Sequence, residues 1–263
     1  MSRRPQQGTS VLDSFSLAGR TAVVTGATRG LGRAFARALA EAGANVVVVG
    51  RDAVAAAEVE AEIASLGVGA TTVIADVTRR DDVERILART VAVFGRADVL
   101  INNAGTCIHK PAVEVTDADW RAVMDVNLDA VWVTSQVFGR HMIEQGGGSI
   151  VNVGSMSASI VNRPQWQPAY NASKAAVHHL TRSLAAEWAP VNVRVNAIAP
   201  GYMRTDMSPI DEPRFQRYWI EDTPQRRAGE PHELGPAVVF LASDASSFMT
   251  GSVLTIDGGY SVF

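Results

Sequence analysis

Tyr170 and Lys174 stand one helical turn apart at the end of the stretch Gly154 to Lys174, GSMSASIVNRPQWQPAYNASK, with serines at 155 and 157 ahead of them. Residues four apart share a face of any helix that carries them. An ammonium beside a phenol favours phenolate, so Lys174 is expected to pull the tyrosine down from its usual value of about 10. A phenol tuned this way exchanges a proton with an alcohol or carbonyl oxygen near neutral pH. A serine hydroxyl close by holds the same oxygen. In an arbitrary chain a Tyr and a Lys at this spacing are more often a half-buried ring and a solvated ammonium, so the rest of the sequence has to decide.

The elements that must position the pair can be read from the amino terminus onward. TAVVTG (21–26) is an apolar, β-branched run, and AGANVVVVG (42–50) contains another. Between them LGRAFARALAEAG (31–43) places Leu31, Phe35, Ala38, Leu39 and Ala42 on one helical stripe. Strand, helix and strand over this length form a βαβ unit with a parallel pair. The turn into the helix is TGATRGLG, with glycines at 26, 30 and 32. Glycines there make the turn and let backbone approach a pyrophosphate, while the helix N-terminus offers amide donors and a positive dipole. The bland alternative is a tight connection; its place between strand and helix favours dinucleotide binding.

The second strand ends Val49-Gly50-Arg51-Asp52. An acidic residue at this tip would bind the ribose hydroxyls of NAD, but here the tip is Gly50, followed at once by Arg51. A guanidinium pairs instead with a 2′-phosphate, and Arg29 in the glycine turn adds a second positive charge. NADP(H) is therefore favoured over NAD(H), about two to one, with Asp52 as the competing ribose ligand if the register is one residue different.

Alternation continues through AAAEVEAEIASLG (55–67), TTVIADV (71–77) ending near Asp76, DDVERILARTVAVFG (81–95) and ADVLINNAG (97–105). A long helical stretch (117–145), a strand (148–155), the helix carrying Tyr170 and Lys174 to about Trp188, and strands at 193–201 and 252–259 follow. This pattern predicts an α/β fold: one Rossmann domain with a doubly wound parallel sheet of about seven strands. Ligands collect at the carboxyl ends of such strands, and Gly26, Arg51, Asp76, Asn103, Ser155 and Pro200 all fall at or just past those ends.

Composition bounds the partners. The chain has 263 residues, 47% of them apolar, and a formal charge of −3. That is enough for one sizeable core, and the charge gives no support for nucleic-acid binding. Cys107 is the one cysteine, which excludes an internal disulfide and a zinc cluster; it reads as a small buried apolar residue. No apolar run suits a membrane span. Arg3-Arg4 is followed by polar residues rather than an apolar signal core, so a cytoplasmic protein is expected. Residues 1–18 read as a flexible tail ahead of the domain at 19–263.

Taken together, these motifs resemble the short-chain dehydrogenase/reductase family over nearly all of residues 17–263. TGATRGLG is similar to its cofactor turn (Gly26, Thr28, Arg29, Gly30, Leu31, Gly32), Asp76-Val77 to its adenine contact, and Asn102 to Gly105 to its N-N-A-G element, so that Asn103, Ala104 and Gly105 join the cofactor set. The resemblance implies that Asn127 serves a proton relay, its backbone holding a water near Lys174. It implies that Ser155 orients the substrate oxygen, Tyr170 is the acid/base, and Lys174 binds the nicotinamide ribose. Pro200, Gly201, Met203 and Thr205 resemble the segment that holds the nicotinamide carboxamide, and Asp257-Gly258-Gly259 the C-terminal strand signature. The family's serine usually stands 13 residues before the tyrosine, which is Ser157; Ser155 is chosen because the strand stops there, and Ser157 is left as a substrate contact or a loop cap.

The 154–165 loop, the 184–189 run and the C-terminal IDGGYSVF are similar to the polyol dehydrogenase and ketose reductase branch, galactitol-dehydrogenase-like members in particular. The expected substrate is a polyol or ketose, a small molecule, with Asn162, Gln165 and Gln167 and His109 as polar contacts and Trp166 packing on the sugar or within a lid. Residues 203–228 resemble the family's mobile substrate lid, and the family usually forms homotetramers, for which the apolar C-terminal end suits an interface. No metal site is expected. Two rivals remain: a 3-oxoacyl-thioester reductase, and a non-catalytic NADP-binding sensor or scaffold, against which the Asn127, Ser155, Tyr170 and Lys174 set argues.

Overall fold

The computed structural model describes residues 10–206 and 208–263; the Arg3-Arg4 pair and the first half of the expected tail lie outside them. Seven parallel strands form one sheet in the order β3-β2-β1-β4-β5-β6-β7. They are β1 (Thr21–Thr25), β2 (Asn45–Gly50), β3 (Ala70–Ile74), β4 (Val99–Asn102), β5 (Gly148–Val153), β6 (Val193–Pro200) and β7 (Val253–Ile256). The main helices are α1 (Gly30–Glu41), α2 (Ala53–Ala64), α3 (Arg80–Phe94), α4 (Asp117–Met124), α5 (Ala130–Glu144), α6 (Pro168–Trp188), the short α7 (Pro213–Phe215) and α8 (Gly235–Ala242).

Strands β1 and β4 at the centre of the sheet are buried along their whole length because both faces are covered. Successive side chains alternate between faces. Ala22, Val24, Val46, Val48 and Ile101 pack with Phe35, Leu39, Val59 and Val238 of α1, α2 and α8. Val23, Val47, Leu100, Ile150 and Val195 pack on the other side with Ile86, Phe138, Met142 and Leu184 of α3, α5 and α6. From β1 the chain runs outward through β2 and β3, then crosses back to pair β4 beside β1. The crevice opens where that direction reverses.

Several expected boundaries move. The packed chain begins before residue 19: Leu17 is fully buried, its amide donates to the Ala42 carbonyl at 2.8 Å, and Phe15 lies against Phe240, so residues 13–18 are not a free tail. The third strand stops at Ile74 rather than at Asp76, because Asp76 turns to accept from the Thr78 amide and hydroxyl. The long helical stretch after Asp117 is interrupted by a π-helical turn over Asp125–Asp129. Helix α8 is an element beyond the alternation read from the sequence. It is apolar nearly all round and gives no amphipathic period, since Val238 and Leu241 are buried against the sheet. The 203–228 segment carries α7, continues as a π-helical turn over Gln216–Glu221, and builds a small apolar cluster of Ile210, Phe215, Trp219 and Ala228.

Candidate active site

The carboxyl ends of the strands open into a cleft of about 640 Å³. Every residue expected to hold the cofactor lines it, as do Ser155, Ser157, Asn162 and Gln165. At one end lies the glycine turn. Gly26 and Gly30 have φ of +63° and +51°, a region open mainly to glycine, and a Cβ on Gly32 would overlap the Gly26 carbonyl. Helix α1 starts there with no side chain capping it, whereas Asp52 caps α2 and Thr116 caps α4. Gly30, Leu31 and Gly32 line the cleft, and among the described residues no side chain caps the first α1 amides, the arrangement a pyrophosphate requires.

Gly50 is the tip of β2, and the structure explains the residue: a Cβ there would overlap the Thr28 methyl group. Asp52 is occupied, one carboxylate oxygen accepting from the Val54 and Ala55 amides at 3.0 and 3.1 Å. Arg29 and Arg51 line the same end and are exposed, and neither is ion-paired among the described residues. Asn103 does not extend into open space. Its Nδ2 donates to the Thr25 and Gly26 carbonyls at 2.8 and 3.1 Å, locking the two strand-end turns together.

At the other end, α6 brings Tyr170 and Lys174 under the tip of β5. Lys174 is buried, and its Nζ donates to the Val153 carbonyl at 2.7 Å and sits 5.5 Å from the Tyr170 ring centroid. Tyr170 keeps part of its surface on the cleft, but desolvation dominates its titration and pushes the phenol up to about 12, opposed by hydrogen bonding with Ser155. Burial likewise pushes Lys174 down to about 8. The expected lowering of the tyrosine by its lysine is thus not what the protein alone shows: loss of water around each group sets the direction of its shift. The Ser155 hydroxyl donates to Ser157 Oγ at 3.0 Å and accepts from the Ser157 amide at 3.1 Å, so the two serines act as one unit beneath the cleft. The 3₁₀ turn Met156–Ala158 begins at that contact.

Asn127 lies on the π-helical turn and does not line the cleft. Its side chain is fully engaged, Nδ2 donating to Thr106 O at 2.9 Å and Ser173 Oγ at 3.1 Å while Oδ1 accepts from the Thr106 amide at 2.8 Å. A π turn displaces the backbone hydrogen-bond ladder, and here it sits beside the lysine, since a Cβ on Gly105 would lie 3.3 Å from Asn127 Oδ1 and 3.8 Å from Lys174 Nζ.

Trp166 is not among the residues lining the cleft: its side chain is 55% exposed, and its backbone carbonyl accepts from the Lys110 amide at 2.9 Å. The aromatic wall is Tyr202 and Trp219, stacked at 4.4 Å between centroids, with Tyr260 edge-on to Tyr202 at 5.2 Å. Cys107 is half-buried on the cleft rather than in the core; burial pushes its thiol up to about 12. His178, which no spacing singled out, packs one turn beyond Lys174 against Gly154, where a Cβ would collide with the imidazole.

A family model described as Enoyl-(Acyl carrier protein) reductase matches residues 26–261. The chain is 45% identical over 251 residues to the galactitol 2-dehydrogenase (L-tagatose-forming) of Cereibacter sphaeroides, covering 95% of this chain and 98% of that one. It is 39% identical to a sorbose reductase of Candida albicans, over 98% of this chain and 92% of that one. Among solved structures, a gluconate 5-dehydrogenase from Burkholderia cenocepacia in complex with NADP and tartrate superposes with a TM-score of 0.92 at 37% identity, over 97% of this chain and 100% of that one.

Proposed function

The chain belongs to the short-chain dehydrogenase/reductase family, and from that premise we propose that it moves a hydride between a nicotinamide cofactor and the secondary alcohol or ketone carbon of a polyol or ketose. The observation that carries this reading is the meeting, in one cleft, of an uncapped glycine-rich helix start and the Ser155, Tyr170 and Lys174 set. When bound, the dinucleotide donates or accepts the hydride. The glycine turn and the α1 amides would hold its pyrophosphate, Asp76 and Val77 its adenine, and Pro200, Gly201, Met203 and Thr205 its carboxamide end.

The remaining work falls to the chain. Ser155 orients the substrate oxygen, with Ser157 fixing its hydroxyl direction. Tyr170 exchanges the proton with that oxygen. Its high pKa keeps it protonated at neutral pH, which suits it as the acid in ketone reduction; alcohol oxidation asks it to act as the base. Lys174 would hold the nicotinamide ribose, with the Asn127 turn beside it as the route for the proton. The 203–228 segment closes over the site and excludes water. NADP(H) would be preferred, since Arg29 and Arg51 line the glycine-turn end of the cleft and would offer charge to a 2′-phosphate while Asp52 is held as a helix cap. The exposed Phe248, Val262 and Phe263 suit burial between subunits of a homotetramer, testable by sedimentation. No helix among the described residues is long and apolar enough to cross a membrane; a cytoplasmic site of action is part of the same proposal.

The test is absorbance at 340 nm with NAD+ and NADP+ against alditols, and with NADH and NADPH against ketoses and a 3-oxoacyl thioester. Polyol or ketose turnover is expected. Tyr170→Phe is expected to lower kcat at least a thousandfold while cofactor affinity changes less than threefold. Turnover of the thioester alone would replace the substrate class, and cofactor binding with no turnover would favour a sensor.

A further inference from the structure

Around the reacting phenol the cleft is walled by buried and half-buried, uncharged hydrogen-bonding groups that are wired in one direction. Gln167, 5% exposed at the start of α6, donates from Nε2 to Asn162 Oδ1 at 3.0 Å and to Asn171 Oδ1 at 3.2 Å. With its oxygen so occupied, Asn162, 2% exposed, donates from Nδ2 to the Tyr202 hydroxyl at 3.1 Å. Gln165 accepts from Trp219 Nε1 at 3.2 Å. Each amide's orientation is therefore set by the next, and Gln167 is the junction, since its Oε1 also receives Cys107 Sγ at 3.6 Å and Gln165 Nε2 at 3.4 Å.

Lys174, beside the phenol, is committed to the Val153 carbonyl, and the other cations around this loop and lid are ion-paired. Arg163 and Arg217 pair with Asp222, Arg214 pairs with Glu212 at 2.7 Å, and Lys110 pairs with Asp119 at 2.7 Å. His109, on the rim, is held below its ordinary value by burial and by Arg214. A substrate hydroxyl both donates and accepts, and so fits a wall of mixed amide and hydroxyl groups. A carboxylate or phosphate entering the same place leaves water without a counter-charge to meet it, a costly transfer.

We propose that this end of the cleft selects uncharged polyhydroxylated substrates, free alditols and ketoses, against aldonates and sugar phosphates of the same chain length, with Gln167 fixing the direction of the amide chain that makes the selection. The inference rests on the polyol and ketose reading above and narrows it. The relatives divide on this very point, since galactitol and sorbose are neutral whereas gluconate is an anion.

The experiment compares kcat/KM for galactitol and mannitol with that for galactonate and gluconate, using the full chain and NADP+ or NAD+. We expect the alditols to exceed the aldonates by at least a hundredfold. Gln165→Arg, which places a guanidinium on the wall, is expected to raise the aldonate-to-alditol ratio at least tenfold. Gln167→Leu is expected to raise KM for the alditol at least tenfold with kcat changed much less, its melting temperature being checked against the parent chain. Equal turnover of alditols and aldonates would overturn the charge selection and leave the polyol reading standing. Loss of kcat and KM together in a folded Gln167→Leu would overturn the junction role. If neither class turns over while another ketone does, the polyol reading fails first and takes this inference with it.

Discussion

At the scale of single residues, the chemistry hangs on how neighbours use up or leave free the polar atoms of a few side chains. Asp52 and Arg51 are adjacent, yet one is committed to the α2 amides while the other lines the glycine-turn end of the cleft with no ion pair among the described residues. That asymmetry predicts that Arg51→Ala raises KM for NADPH at least tenfold while KM for NADH moves less than threefold. A uniform rise, measured by initial rates with both cofactors, would return Arg51 to the solvated surface. The pair of Gly154 and His178 shows the complementary case. The imidazole occupies the space of a Cβ at 154, so the glycine ahead of Ser155 is there for close approach rather than for a turn. Nothing in the spacing of the two residues announces it, because the contact is between strand end and helix.

At the scale of elements, the strand ends and helix starts are tied across the sheet by side chains that do no chemistry themselves. Asn103 joins the β1 and β4 turns. Buried Asn102 donates to Asn152 Oδ1 at 2.8 Å, and Asn152 donates to Thr181 on α6 at 2.9 Å, which fixes the helix carrying Tyr170 against the sheet. Asn127 links the π-helical turn to Thr106 and to Ser173 of α6. Removing it leaves the half-buried Thr106 amide and carbonyl without their partner, where each unsatisfied group costs up to about 1–3 kcal/mol. Asn127→Ala is accordingly expected to lose about 2–4 kcal/mol in urea unfolding and to lower kcat. Unchanged stability would mean that water replaces the amide.

At the scale of the whole molecule, the buried imidazole of His178 makes stability depend on acid. Its Nε2 has no hydrogen-bond partner among the described residues. Burial, followed by Lys174 and Arg182 which face it, pushes its pKa down to about 4, against about 6.5 in the unfolded chain. The folded state thus holds the neutral form. Its contribution is full above about pH 6.5 and is lost as pH falls through about 4. Melting temperature is expected to fall over that window, and His178→Leu, if it folds, is expected to flatten the slope between those pH values. An unchanged slope would assign acid unfolding to other groups.

Much of the molecule was decided by sequence alone. Apolar β-branched runs, alternating with helical periods, admit few arrangements besides a doubly wound parallel sheet, and the glycine turn and the Tyr170–Lys174 spacing are local patterns whose partners lie within one element or one turn. What required the tertiary structure is everything set by contacts between distant segments. Trp166 and Trp219 look alike in the sequence, but only the folding of 203–228 over the loop turns one outward and the other into the wall. The titration of Tyr170 followed the same logic, since a helix places the lysine while the whole surround removes the water. Helix α8 escaped because an element buried against the sheet and its neighbours carries no amphipathic period. Local pattern reads spacing along the chain; desolvation, side-chain direction and the commitment of polar atoms depend on which surfaces meet.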